Sequence, residues 1–238
     1  MGKEQFAPRL AEQGISLAPS QLEQFNTYYR LLVEWNERMN LTAITAEDEV
    51  YLKHFYDSIT AAFYFSFANV TTVADIGAGA GFPSLPLKIC FPHLRVTIVD
   101  SLQKRIGFLE HLAKELGLDG VTMVHARAED AGQNPQLRES FDLVTGRAVA
   151  RLNILAEYCL PFVRVDGHFL AMKGANVSLE MNEAKKAIKT LGGKTVKVES
   201  FELPDDAGER NIIIIEKVAS TAKTYPRKAG IPAKKPLC

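Results

Sequence analysis

Residues 73–83 read Val-Ala-Asp-Ile-Gly-Ala-Gly-Ala-Gly-Phe-Pro, an apolar run that breaks into three alternating glycines, and no other passage constrains the fold as much. Glycine takes positive φ without steric penalty and lets a ligand approach the backbone closely. A strand that ends in such a loop and opens a helix is therefore a candidate binding turn. The dinucleotide pattern G-x-G-x-x-G is not met: Gly77, Gly79 and Gly81 follow G-x-G-x-G, and Phe82 stands where the third glycine should be. The next apolar run closes at Asp100, nineteen residues beyond Gly81. A carboxylate at that edge of a parallel sheet accepts hydrogen bonds from both hydroxyls of a ribose. An Asp at a strand end can also merely cap the following helix, but the glycine loop upstream favours the ribose reading.

Around this passage short apolar runs alternate with helical stretches. Residues 72–76, 96–99, 121–124, 143–145, 169–172 and 212–215 read as strands, while Ile106, Leu109, Leu112 and Leu116, and then Ile154, Leu155 and Tyr158, recur at helical spacing. Such alternation predicts an open, mostly parallel α/β sheet with helices on both faces. Residues 212–215 are four isoleucines without polar alternation, which predicts a strand buried on both faces.

The first 66 residues differ in kind. Ser20-x-x-Glu23 has the form of a capping box, after which Leu22, Phe25, Tyr29, Leu32 and Val33 keep helical spacing up to about Trp35 to Asn40. A second start at Thr45-x-x-Asp48 leads into Val50, Phe55, Ile59 and Phe63. The expected organisation is an N-terminal helical cap over residues 1–66, the sheet domain over 67–218 and a basic C-terminal arm over 219–238.

The net charge is zero, with 28 basic and 28 acidic residues, yet residues 217–238 hold six bases and no acid. Lys217, Lys223, Arg227, Lys228, Lys234 and Lys235 are interleaved with three prolines and Tyr225, the pattern of an extended arm that lies along phosphates. A disordered, solubilising terminus is the alternative. No apolar run approaches the roughly 18 residues that span a bilayer, and the first ten residues lack the apolar core of a signal peptide, so a cytoplasmic protein is expected. Cys90, Cys159 and Cys238 have no C-x-x-C spacing, which argues against disulfides and zinc. His54, His93, His111, His125 and His168 fall on separate elements, so no metal site is expected.

The glycine spacing resembles the nucleoside-binding loop of class I methyltransferases, and further segments are similar to the bacterial 16S rRNA guanine-N7 methyltransferase family, RsmG or GidB. They are Trp35-Asn36 with Asn40-Leu41-Thr42, His54 with Asp57-Ser58, the loop through Phe82-Pro83, Asp100-Ser101 with Lys104-Arg105, Gly146-Arg147-Ala148, Lys173-Gly174, and residues 225–232. The resemblance implies a Rossmann-like class I methyltransferase sheet, S-adenosylmethionine as cofactor, and transfer to N7 of one guanine in the 530 loop of 16S rRNA. The substrate would be that RNA or the small ribosomal subunit, possibly an assembly intermediate, and the protein a monomer. Cofactor contacts are implied at Gly77, Gly79, Gly81, Phe82, Ala128, Glu129 and Arg147, with Asp100 in the ribose position. Asn40, His54, Asp57, Arg151 and Lys173 are substrate-side candidates.

The residue chemistry agrees with that implication. Guanine N7 is an unprotonated lone pair, so a methyl acceptor of this kind needs no general base. The Asn-Pro-Pro or Asp-Pro-Pro motif usual in amino-methylating enzymes is absent after the fourth run, where Thr145-Gly146-Arg147-Ala148 stands instead. Guanine recognition calls for a cationic or amide donor to O6, for which Arg147, Arg151 and Lys173 at the ends of the fourth and fifth runs are candidates. For Arg147 the favoured partner is instead the cofactor carboxylate, with Glu129 as a further alternative, and for His54 it is Asp57, one helical turn away. A methyltransferase acting on another RNA, a protein or a small molecule, a nicotinamide-dependent oxidoreductase and a catalytically silent RNA-binding module are the rival readings.

Overall fold

The computed structural model of the protein describes residues 1–175 and 177–237. Two helices open the chain, α1 (Lys3–Glu12) and α2 (Pro19–Met39). The expected capping box is displaced: Ala18 is the N-cap, and its N–H donates to Oε1 of Gln21 at 2.7 Å, so this glutamine does what was expected of Glu23. At the other end Asn40 takes the left-handed conformation, φ 49°, which Asn tolerates better than most residues. The second start also falls later than Thr45. Ala46 precedes α3 (Glu47–Val50), which widens into a π-helical stretch, Tyr51–Tyr56, before α4 (Asp57–Ile59) and α5 (Ala61–Tyr64).

Seven strands follow: β1 (Thr72–Ile76), β2 (Arg95–Asp100), β3 (Val121–His125), β4 (Phe141–Arg147), β5 (Val163–Lys173), β6 (Gly193–Glu202) and β7 (Glu209–Lys217). They form one sheet in the order β3-β2-β1-β4-β5-β7-β6. The first five are parallel, and β7 runs antiparallel to both β5 and β6. The sheet connections carry α6 (Ser84–Cys90), α7 (Gln103–Glu115), α8 (Ala128–Ala131), α9 (Leu152–Cys159) and α10 (Val177–Thr190); a short α11 (Ile231–Lys234) lies near the C-terminus. The winding direction reverses between β1 and β4, which opens a crevice beyond their carboxyl ends. β7 sits between two neighbours, and its four isoleucines are buried on both sides. β6 was not among the expected strands, because its alternation of Lys and Glu with Val and Phe suits an exposed edge and carries little apolar signal.

The two faces of the sheet have different cores. On one, Phe6, Phe25, Tyr28 and Phe55 of the N-terminal helices join a single cluster with Leu85, Phe108, Leu112, Leu143 and Leu170. On the other, Leu155 and Ala156 of α9 and Ala184 and Ile188 of α10 pack on Val144, Phe169 and Ile213.

The basic C-terminal segment is not the free extended arm that its composition suggests. Arg138 donates to the carbonyls of Thr221, Ala222 and Tyr225, and Arg227 grips both carboxylate oxygens of the buried Glu157 at 2.6–3.2 Å. Lys217 does not belong to the arm's exposed charge at all. It is fully buried, its ammonium donating to the carbonyls of Leu160 and Val163 at 2.7 and 3.1 Å and pairing with Glu139 at 3.1 Å. Burying an ammonium is tolerable only with such a set of acceptors. Lys223, Lys228, Lys234 and Lys235 remain exposed. Among the described residues no helix is long and apolar enough to cross a membrane, and no three His, Cys, Asp or Glu side chains are grouped to hold a metal. Cys159 is buried, and Cys238 lies outside the described residues.

Candidate functional site

The glycine loop leaves β1 with Gly77, Gly79 and Gly81 all at positive φ, 73°, 61° and 99°. Asp75, two residues before it, does not face a ligand. It is fully buried beneath the loop, where Oδ2 accepts the Ser84 N–H at 3.0 Å at the start of α6. Burial pushes the Asp75 carboxyl up to about 7. The three glycines serve different ends. A Cβ on Gly81 would stand 2.6 Å from the Tyr28 hydroxyl and 2.7 Å from Leu85, so this glycine lets α2 and α6 close behind the loop. A Cβ on Gly79 would meet nothing within 4 Å and would enter the cavity that the loop borders.

That cavity measures about 540 Å³ and lies at the carboxyl ends of β1, β2 and β4. Gly77, Gly79, Phe82, Asp100, Ala128, Glu129, Arg147 and His54 all line it. Gly81 does not, for the packing reason just given. Asp100 caps the next helix through Oδ1, which accepts the Leu102 N–H at 2.9 Å, while Oδ2 is buried without a hydrogen-bond partner among the described residues. The Arg105 guanidinium lies 3.5 Å from that oxygen. Glu129 is buried, and its Oε1 accepts the Gly230 N–H at 2.8 Å, so the C-terminal segment forms part of the wall, with Gly230 and Ala233 both lining the cavity. Sequence reasoning missed this contribution, because nothing local marks a tail glycine as the partner of Glu129.

Phe82 anchors the other side. Its ring stacks with those of Tyr28 (5.4 Å, 8°) and His54 (4.6 Å, 21°), and the Arg147 guanidinium sits 5.0 Å from its centroid. Within the protein, Arg147 does not pair with Glu129. Its Nη1 donates to Asp57 at 2.9 Å rather than to Glu129, whose oxygen is taken by Gly230. The expected His54–Asp57 pair is likewise not formed. Asp57 is claimed by Arg147 through Oδ2 and by Arg210 through Oδ1 at 3.0 Å, and the His54 Nε2 instead meets the Thr42 hydroxyl at 2.8 Å. Burial first, and then the charge of Arg147, push the His54 imidazole down to about 4, so it is neutral near pH 7.

A second cavity of about 330 Å³ adjoins the first and shares His54, Arg147 and Ala148 with it. Asp57 and Lys173 line this smaller space, Lys173 being tied to Glu180 at 2.8 Å and to the Ala150 carbonyl at 2.9 Å. Two candidates fall outside both cavities. Arg151 pairs with Glu183 on the surface, more than half exposed at 54%. Asn40 caps α2, and its successors Leu41 and Thr42 reach the larger cavity in its place. Arg210, on β7, was missed. It lies 153 positions from Asp57, and an arginine beside a glutamate at the mouth of a strand reads as ordinary surface charge.

Residues 21–213 match the protein family described as rRNA small subunit methyltransferase G. The chain is 68% identical to the ribosomal RNA small subunit methyltransferase G of Brevibacillus brevis, with all of both chains covered. It is 60% identical to the protein of that name from Bacillus subtilis, covering all of this chain and 99% of the relative. Among solved structures, TrmN from Thermus thermophilus shares the fold at 16% identity, with a TM-score of 0.53 over 71% of this chain and 53% of that one. With a seven-stranded sheet of this order, a glycine loop and an acidic strand end at one cavity, and matches of that length, the chain belongs to the rRNA small subunit methyltransferase G family.

Proposed function

We propose that the protein transfers the methyl group of S-adenosylmethionine to N7 of one guanine in the 530 loop of 16S rRNA, guanosine 527 in conventional ribosomal RNA numbering. The observation that carries the cofactor side is Asp100. Its Oδ2 is buried at the cavity wall without a hydrogen-bond partner among the described residues, next to a glycine whose missing side chain leaves open space. The Arg105 guanidinium offsets that oxygen's charge from 3.5 Å without completing a hydrogen bond, and vicinal ribose hydroxyls are donors that would do so. Gly77, Gly79 and Phe82 would hold the nucleoside against the loop, and Ala128 and Glu129 the adenine. Glu129 has one oxygen engaged by Gly230 and the other free of protein partners among the described residues.

The cofactor supplies an electrophilic methyl group on sulfur. What the protein contributes is position and exclusion of water, since the acceptor nitrogen already carries a free lone pair. Neutral His54, stacked on Phe82, and the Arg147–Asp57 pair shape the wall between the two cavities and hold it rigid. No group in that wall has to move a proton. The four exposed lysines of the C-terminal segment, Lys223, Lys228, Lys234 and Lys235, would meet phosphates around the mouth of the larger cavity, into which the neighbouring Gly230 and Ala233 project.

The test is transfer of labelled methyl from S-adenosylmethionine to small-subunit RNA from cells that lack this protein, given as naked RNA and as subunits, with the modified base mapped. Label at N7 of a single guanine in the 530 loop is the expected result. Cofactor binding without label on any ribosomal RNA would reject the proposed substrate.

A further inference from the structure

The smaller cavity has no part in the cofactor site just described, yet it opens beside it through a shared wall. Three features define its chemistry. Met172 and Ile212 supply apolar surface of the kind that receives a flat ring. Two guanidinium groups, those of Arg147 and Arg210, are fixed on either oxygen of one carboxylate, Asp57, which is only 5% exposed. Both arginines keep spare donors: Arg147 uses only Nη1, and Arg210 uses Nε and Nη1, so neither Nη2 meets an acceptor among the described residues. A cavity that offers donors on a rigid mount calls for a ligand edge made of acceptors.

We infer that the smaller cavity seats the acceptor base, and that Arg210 is its specificity-determining residue, donating to the six-position oxygen of a guanine. This rests on the methyl-transfer reading above and adds where the base lies and what reads it. The argument is one of edges. Guanine carries its six-oxygen next to N7, whereas adenine presents an amino group at the same position. The usual arginine fork takes O6 and N7 together, but an enzyme that must leave N7 open to the methyl group can use only the oxygen. A donor that holds the oxygen inside the smaller cavity leaves N7 turned toward the junction with the larger one. Adenine would set an N–H donor against a guanidinium and be rejected. Arg147 lines both cavities and so borders their junction, while Arg210 lines only the smaller one, where the oxygen would lie. Asp57 acts through the two arginines and is a positioning residue.

The experiment pairs a change in the protein with a change in the base. Small subunits are reconstituted with RNA that carries guanine, or 2-aminopurine, which lacks the six-oxygen, at the target position. Wild type and Arg210→Met are compared for kcat/KM on each, and for affinity of S-adenosylmethionine by titration. Wild type should prefer guanine on the order of tenfold to a hundredfold, and Arg210→Met should compress that ratio to within about threefold while cofactor affinity stays within twofold. Because the ratio is taken within one enzyme preparation, partial misfolding of the variant cancels. A ratio that Arg210→Met leaves unchanged overturns the inference and leaves the methyl-transfer reading standing. A wild-type protein that labels no guanine in the first place overturns both.

Discussion

The amide of Gly230 donates to Oε1 of Glu129 at 2.8 Å, joining the wall of the larger cavity to a residue 101 positions further along the chain. The contact is held in register by the Arg227–Glu157 pair three residues earlier, in which the Glu is fully buried. Segment and cavity are therefore one mechanical unit.

Removal of the Glu157 carboxylate is expected to loosen that unit. Breaking a buried pair from one side costs about 3–5 kcal/mol when the surviving charge stays buried. Arg227 is partly exposed and can turn to water, so the loss should appear as release of the segment rather than global unfolding. Glu157→Ala should weaken S-adenosylmethionine binding roughly tenfold and speed tryptic cleavage at Arg227 and Lys228. Unchanged affinity together with unchanged cleavage would show that the segment is held by other contacts.

The glycines of the loop should separate stability from binding. Gly81→Ala forces a Cβ against Tyr28 and Leu85 at under 3 Å and should lower stability by about 2–3 kcal/mol. Gly79→Ala meets open space, so its structural cost should be about 1 kcal/mol from positive φ alone, while the added methyl intrudes where the cofactor is proposed to lie. Thermal unfolding and a cofactor titration on both variants decide the matter. Equal binding losses relative to stability would remove the distinction.

The pH dependence of stability contains two opposed terms. The His54 imidazole falls from its ordinary 6.5 to about 4, by burial and then by the Arg147 charge; its contribution is complete above about pH 6.5 and is lost as pH falls toward 4. The Asp75 carboxyl rises from 3.8 to about 7 by burial; its contribution is complete below about pH 4 and is lost as pH rises through 7. Between pH 4 and 6.5 each slope approaches about 1.4 kcal/mol per pH unit, with opposite sign. Relative to wild type, Asp75→Asn should therefore make stability rise more steeply with pH, and His54→Gln should make it rise less steeply or fall. Denaturation midpoints across this range test both, and slopes of the same sign would contradict the assignment.

Lys217 and the exposed lysines should part company. Lys217→Ala strands the Leu160 and Val163 carbonyls and should cost about 1–3 kcal/mol of stability, with no change in the salt dependence of RNA binding. Alanine at Lys234 or Lys235 should leave stability alone and reduce the salt slope by about one if the side chain meets a phosphate. A reversed pattern would place the RNA elsewhere.

What the sequence made legible follows from how local each signal is. The glycine loop, Asp100 and the Ala128–Glu129 pair are each carried by a few neighbouring residues on a strand end, and all reach the larger cavity except Gly81. The triangle of Asp57, Arg147 and Arg210 is not local, since its members are 90 and 153 positions apart, and helical spacing alone pointed Asp57 to His54. β6 escaped for another reason: charges alternate along an edge strand as they do along a loop. Lys217 was counted with the exposed bases because charge composition says nothing of burial, which here depends on carbonyls at Leu160 and Val163.

The apolar cluster that joins Phe6, Phe25 and Phe55 to Leu85, Phe108 and Leu112 sets a limit on how this protein can be cut. A fragment begun at the first strand would carry a bare apolar flank on α6 and α7, and the helices expressed alone would offer the matching one. Each piece would need the other for solubility, so the two should be recovered together from co-expression and precipitate when made apart.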